Sequence, residues 1–338
     1  MKRGNLLMFL TLLIVGLFAL NLSLGSVSIP LKWVLSALAG GHSTPEVFSN
    51  ILIKSRLPQA ITAVLAGGGL AIAGLLMQTL FRNPLAGPSV LGISSGASLG
   101  VAAVMLLAGV GGLLGVSLYA ISVVAAFIGA FLVLLLITYF ASRLHDNAML
   151  LILGLMLGYI TSSLVGVLNF YATSENVHSY TLWGLGSFSS VGWEQMPLFS
   201  ILIIVGVGIS LAMPKWLNML LLGDNYASNL GLNVKRARLV VILSAGLITA
   251  TITAFCGPIA FLGVAVPQIA RLLVGKNEHS ALLPVTLLSG MAVSLLCNLL
   301  SRLPGLDGAL PINAVTSFMG APIVIWVVLD KRRQRISF

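Results

Sequence analysis

The side chains that could do chemistry in this sequence are few and scattered. Four histidines, His42, His145, His178 and His279, fall in different polar stretches, and Cys256 and Cys297 lie within apolar runs. There is no Cys-x-x-Cys or Cys/His pairing, so no metal site is predicted and both thiols are expected to be free and buried. No Ser-His-Asp grouping or HExxH pair suggests catalysis. Gly275-Lys276 is followed by Asn277 and lacks the upstream glycine of a phosphate-binding loop, so the chain is not expected to bind ATP in that way. The cluster GVGGLLG at 109–115 follows no strand and reads as a turn. A non-catalytic chain without a cofactor is predicted.

The elements around these residues explain their scarcity. Of 338 residues, 58% are hydrophobic and only 8% are charged. Soluble domains carry about 25% charged residues, so the solvent here must largely be lipid. A bilayer core of about 30 Å takes about 20 apolar residues per helix. Apolar runs of suitable length lie at 5–24, 58–81, 89–109, 114–140, 148–168, 196–213, 238–256, 258–274, 282–300 and 311–329. An all-α polytopic membrane protein of about ten helices, in a single domain over 1–338, is predicted. The apolar start resembles a signal peptide but has no Ala-x-Ala-like site, and reads as a retained first helix.

The net charge of +10 could suggest nucleic acid. The cations sort by loop instead. With an even number of spans, Lys2, Arg3, Arg82, Arg143, Lys215, Lys235, Arg236, Arg238, Arg271, Lys276, Lys331, Arg332, Arg333 and Arg335 share one side, against Lys32, Lys54, Arg56 and Arg302 on the other. Basic residues mark the cytoplasmic side, which predicts both termini inside the cell and no nucleic-acid partner. All eight acids, Glu46, Asp146, Glu175, Glu194, Asp224, Glu278, Asp307 and Asp330, fall in loops or at helix ends. Ion-coupled carriers keep ionisable groups inside the membrane. Uphill movement of a solute would therefore need energy from another subunit. A stand-alone channel or secondary carrier is the competing reading.

One stretch, RNPLAGPSVLGISSGASLG at 82–100, interrupts the apolar pattern. Pro84 disfavours helix at Asn83, which ends the second span. Gly92, Gly96 and Gly100 then recur every fourth residue, and Gly154, Gly158, Ser162 and Gly166 repeat the pattern in the fifth span. Such stripes let neighbouring backbones approach closely, either as fixed packing or as surfaces that slide beside a pathway. Gly87-Pro88 before Val90-Leu91-Gly92 is echoed by Gly257-Pro258 before Phe261-Leu262-Gly263. The two enter the membrane from opposite sides, as an inverted repeat would. In the loop LLGDNYASNLGLNVKRAR, Asp224 could cap a short helix and Gly231 could end it.

Together these residues resemble a known family. RLPQAITAVLAGGGLAIAGLLMQTLFRNPLAGPSVLGISSGASLG (56–100), YTLWGLGSFSSVGWEQ (180–195), LGDNYASNLGLNVKRAR (222–238), GPIAFLGVAVPQIARLLVG (257–275) and PINAVTSFMGAPIVIW (311–326) look like successive blocks of FecCD-type permeases. These are membrane subunits of ABC importers for iron-siderophores, haem and vitamin B12. The resemblance implies two permeases (a homodimer or a close heterodimer) around a channel, two ATPase subunits below, an extracytoplasmic binding protein above, and an inner-membrane location. It places the cytoplasmic gate at Asn83 and Leu85, with a second element over 142–147 that includes Asp146 and Asn147. The ATPase coupling segment, within about 214–237, would centre on Gly223, Asp224, Ala227, Leu230 and Gly231. Arg56 and Arg302 would grip the binding protein, or anchor to headgroups. Gly158, Ser162 and Asn169 are the expected pathway lining. Relatives commonly carry Arg at the position of Gln59, His at that of Gln268 and a carboxylate near Leu310.

Overall fold

The computed structural model describes residues 3–25, 27–38, 45–107, 118–144, 147–303 and 309–329. Each predicted apolar run holds a helix. These are α1 (Arg3–Ser23), α4 (Leu57–Phe81), α5 (Ile93–Leu107), α6 (Leu118–Arg143), α7 (Asn147–Tyr171), α9 (Met196–Leu211), α12 (Val234–Cys256), α13 (Leu262–Val274), α14 (His279–Leu300) and α15 (Ile312–Leu329). Shorter helices connect them: α2 (Leu31–Leu38), α3 (Glu46–Ile51), α8 (Ser174–Gly184), α10 (Pro214–Leu221) and α11 (Asp224–Asn229). A π turn, Leu52–Arg56, joins α3 to α4 without a break.

Among the described residues six helices are long and apolar enough to span by themselves, and α9 with α10 could make a seventh despite a 59° bend. The remaining three, α5, α13 and α15, are shorter than a full span. For α5 and α13 the cause is visible in the backbone. Each follows a Gly-Pro stretch that ends in a residue of positive φ: a 3-10 turn over Pro88–Leu91 and then Gly92 (φ 74°) before α5, and an irregular segment ending in Phe261 (φ 65°) before α13. Irregular backbone within a membrane is tolerated only when it is packed in protein rather than lipid. Here the Pro88 turn packs on the start of α13, since a Cβ on Gly263 would lie 2.5 Å from Pro88 Cδ.

The centre of the molecule is α4 and α12. Their most apolar windows are 83% and 78% buried, against 17% for α7 and 22% for α1, so α7 and α1 form the periphery. The sequence echo also has a counterpart in the packing. α4 packs on α14 as α12 packs on α6; α5 packs on α6 and α7 as α13 packs on α14 and α15. Offsetting the spans by five maps one set of pairs onto the other, although α1 and α9 do not follow the pattern.

Lipid supplies no hydrophobic drive between helices, so close backbone contact must hold the core together. Gly74 of α4 lies against the backbone of Gly263, where a Cβ would sit 1.7 Å from the Gly263 carbonyl oxygen. On α5, a Cβ at Gly96 would meet the Gly129 carbonyl at 2.5 Å and one at Gly100 the Ala125 carbonyl at 2.0 Å. The Gly96 and Gly100 stripe is therefore α5–α6 packing. Overpacking of this kind costs about 1–3 kcal/mol. Gly74→Ala is expected to lower the thermal unfolding midpoint of the detergent-purified protein, whereas Gly16→Ala, with nothing within 4 Å of its Cβ, leaves it unchanged.

Candidate functional site

Polar side chains gather in two layers, one at each end of the bundle. The first holds the end of α4, the start of α12 and the segment α10–α11. Arg82 takes a left-handed conformation (φ 47°) that ends α4, uncommon for a residue with a Cβ. Arg82 N donates to Thr79 O at 3.3 Å and Asn83 N to Gln78 O at 3.1 Å, so the last carbonyls of α4 are satisfied before Pro84 is reached. Asn83 Oδ1 then accepts from Leu85 N at 2.9 Å, folding the loop back on itself.

Beneath this loop lies a buried amide pair. Gln268 Nε2 donates to Pro84 O at 2.7 Å and to Gln78 Oε1 at 3.2 Å, and Arg271 Nη1 reaches the same Gln78 oxygen at 2.5 Å. One imidazole nitrogen could not donate to both acceptors, so Gln268 does here what a histidine could not. Nearby, His279 bridges two elements. Its Nε2 lies 2.8 Å from Thr79 Oγ1, while its Nδ1 and backbone N lie 2.7 Å and 3.0 Å from Asn218 Oδ1 on α10.

The α10–α11 segment rests on this layer. Gly223 (φ 102°) opens α11, and its Cα hydrogen faces Arg82, whose Nη1 would lie 3.3 Å from an added Cβ. Gly231 (φ 86°) closes it: Gly231 N donates to Ser228 O at 2.9 Å and Leu232 N to Ala227 O at 3.0 Å. Ala227 is fully buried beneath the helix, while Leu222, Tyr226 and Leu230 are 60%, 64% and 53% exposed. Tyr226 and Leu230, four apart, share the outward face of α11 and its C-cap, while Leu222 caps α10 on the other side of the break at Gly223. Asp224 does not cap the helix. It is the first helical residue, and Gly223 occupies the cap position without a side-chain bond. Asp224 Oδ2 instead accepts from Arg238 Nη2 at 2.6 Å, and Arg238 Nη1 donates to Leu144 O at 2.9 Å, next to the turn before α7.

The opposite end carries the second layer. Arg56 is only 3% exposed. Its Nη1 donates to Leu22 O and Ser23 O, both at 2.8 Å, and its Nη2 to Val27 O, which fastens the end of α1. Arg302 Nη1 donates to Gln59 Oε1 at 2.7 Å, Gln59 Nε2 to Asn298 Oδ1 at 3.0 Å, and Asn298 Nδ2 to Asn21 Oδ1 at 2.8 Å. Burial and the neighbouring Arg56 cation pull the Arg302 pKa down to about 10, so it stays charged at neutral pH. Between the layers, α7 turns an apolar face outward, with Tyr159 67%, Val167 55% and Phe170 82% exposed.

This arrangement, two polar end layers around a glycine-packed middle, coincides with a family match over nearly the whole length. The model of the FecCD transport family matches residues 12–330. The chain belongs to the FecCD family. It is 33% identical over 334 residues to the hemin transport system permease protein HmuU of Yersinia pestis, covering 98% of this chain and 96% of the relative. It is 37% identical over 278 residues to the vitamin B12 import system permease protein BtuC of Citrobacter koseri, covering 82% of each. Among solved structures, an inward-facing metal-chelate type ABC transporter superposes with a TM-score of 0.83 at 29% identity, over 97% of this chain and 100% of that one. The protein is thus a multi-pass permease of the ABC importer type, in the inner membrane.

Within this FecCD permease the expected gate and coupling residues lie in one layer. Asn83 and Leu85 form the loop held by Gln268, and Asn147 is the first residue of α7, while Asp146 lies outside the described residues. Gly223, Asp224, Ala227, Leu230 and Gly231 all belong to α11 or its caps. The expected lining divides: Ser162 is exposed, whereas Gly158 faces Ser95 Oγ at 3.5 Å from a built Cβ, and Asn169 is only half-exposed. Arg56 is a correction. Its guanidinium is spent on three carbonyls inside the protein and presents no surface to a partner. Sequence reading missed Arg82, Tyr226 and the linking role of Arg238. The 222, 226, 230 spacing was the available signal for Tyr226; nothing local signalled the 14-residue separation of Asp224 and Arg238.

Hydrogen bonds to a charged group contribute about 1.5–3 kcal/mol each, so Arg56 is expected to act on stability. Arg56→Ala should lower the thermal midpoint and the yield of extracted permease, with Arg56→Lys intermediate. The salt dependence of binding-protein association, measured on whatever Arg56→Lys protein is recovered, should match that of the unaltered chain.

Proposed function

We propose that this permease is half of the membrane channel of an importer for a bulky metal chelate of the iron-siderophore, haem or cobalamin kind. Two copies would enclose the pathway, with ATPase subunits on the face bearing α11 and a binding protein on the other. The observation that carries the reading is the α11 stripe. Tyr226 and Leu230 are large apolar side chains standing out of a basic, polar face, on a helix fixed from behind by Ala227 and by the Asp224–Arg238 pair, with Leu222 exposed beside them at the end of α10. An apolar knob on a rigid mount suits a cleft in a second protein, and an exposed aromatic is the usual anchor of such contacts.

The cations support the orientation. Arg3 Nη2 donates to Ser280 O at 2.5 Å, which puts the start of α1 in the same layer as His279 and α11. Positive-inside bias then makes that layer cytoplasmic. On the far face Lys32 and Lys54 are exposed and Arg302 is partly so, which leaves cations to steer an acidic binding protein once Arg56 is set aside. The names of the relatives, hemin and vitamin B12 permeases, support a large planar or macrocyclic chelate as cargo. The outward α7 face suits a wall that lets cargo pass. It offers apolar and small side chains, and a channel that bound its cargo tightly would retain it.

Co-purification with the cognate ATPase tests this assignment. Tyr226→Ala and Leu230→Asp should each weaken ATPase association by about 2 kcal/mol, roughly 30-fold, while leaving the extracted permease as stable as before. Unchanged association in the double variant would remove α11 as the docking element.

A further inference from the structure

Arg238 occupies a position that neither the apolar pattern nor its charge explains. It sits in the second turn of α12, is 5% exposed, and is flanked by buried Ala237 and Val241. One nitrogen of its guanidinium holds Asp224 at the start of α11, and the other holds the carbonyl of Leu144, the residue that follows α6 by one.

We propose that Arg238 is the positioning residue that relays displacement of α11 to Leu144, at the end of α6. The relay rests on the proposed docking of an ATPase at α11. Its mechanics follow from where each part is anchored. α12 is a largely buried strut, so the Arg238 Cα is a fixed pivot. The guanidinium is at the end of a stem of four rotatable bonds and can swing about that pivot with both partners attached. When α11 moves, Asp224 moves with it, because the backbone of α11 is closed at both ends by Gly223 and by the Gly231 turn. The charge-assisted bond to Asp224 carries the guanidinium along, and the opposite edge of the same planar group draws the Leu144 carbonyl. From there the chain enters α7, the helix with the largest exposed apolar face. Arg suits this fork and Lys does not. A guanidinium presents donors on two edges in fixed relation, whereas an ammonium is a point charge that serves one strong partner at a time.

The test uses the complex of the full permease with its cognate ATPase and binding protein. A single thiol is placed at the end of α6, two residues before Leu144, as Ser142→Cys, a position exposed in the permease, against Cys256 and Cys297, which are buried and serve as a slow background. Labelling by a hydrophilic maleimide is timed with and without a non-hydrolysable ATP analogue, and cargo moved per ATP hydrolysed is measured in vesicles. In the otherwise unaltered chain, nucleotide is expected to change the labelling rate. In Arg238→Met that change is expected to vanish and cargo per ATP to fall by about 10-fold, inside the 5–150-fold span of typical site-to-site coupling. ATP hydrolysis should continue, because the Leu222, Tyr226 and Leu230 surface is intact. The charge exchange Asp224→Arg with Arg238→Asp restores the ion pair, but an aspartate at 238 cannot donate to Leu144 O, so it should keep ATPase association without restoring transport. If Arg238→Met does not accumulate, Arg238→Lys carries the same measurement, with a partial response expected. A nucleotide response in Arg238→Met equal to or larger than that of the parent overturns the relay, and a larger one would mark Arg238 as a restraint instead. A parent complex indifferent to nucleotide overturns the proposed function and takes the relay with it.

Discussion

Lipid offers no hydrogen bonds, and an unpaired polar group there costs several kcal/mol. That constraint organises this molecule. Among the described residues, strongly polar side chains find hydrogen-bond partners in two end layers: Gln78, Gln268, Arg271 and His279 at one end, Asn21, Arg56, Gln59 and Asn298 at the other. Between them the helices are held by backbone contacts such as Gly74 on Gly263 and Gly100 on Ala125. A middle built this way has no place for the buried carboxylates that ion coupling needs. On the proposed function, work would enter through an end layer as mechanical displacement, and α11 carries the exposed Tyr226 there.

The two end layers share this logic. At the end holding Arg56, polar bonds tie α1, α4 and α14 together and also hold loop carbonyls, Val27 O through Arg56 and Pro258 O through Asn313. At the end holding Arg238, the bonds run from long helices to short loops and short helices, through Pro84 O, Leu144 O, Asp224 and Asn218. Those loops can move while the helices stay.

Much of the fold was legible because the signals are local. Ten apolar runs gave ten helices in their expected places, and the cations of loops and termini sorted by face without reference to any packing. Asn83, Pro84 and Gly231 mark helix ends through backbone chemistry that needs no tertiary information. The rest was not legible, for three physical reasons. Asp224 was expected as a cap because caps are read from spacing, but its charge found Arg238, 14 residues on, through the fold. Arg56 looked like a surface cation because burial of an arginine is invisible in sequence until three carbonyls are seen to converge on it. The shortness of α5 and α13 depends on Gly92 and Phe261 taking positive φ, and a phenylalanine does so only when its surroundings impose it.

As proposed, this permease is a passive conduit whose energy arrives from a second polypeptide. The decisive measurement is uptake of a labelled chelate into vesicles, compared for the permease with binding protein alone and for the same vesicles with ATPase and internal ATP. Accumulation above the external concentration is expected only when ATPase and ATP are both present. Accumulation by the permease without them, driven by an ion gradient or by nothing at all, would contradict it.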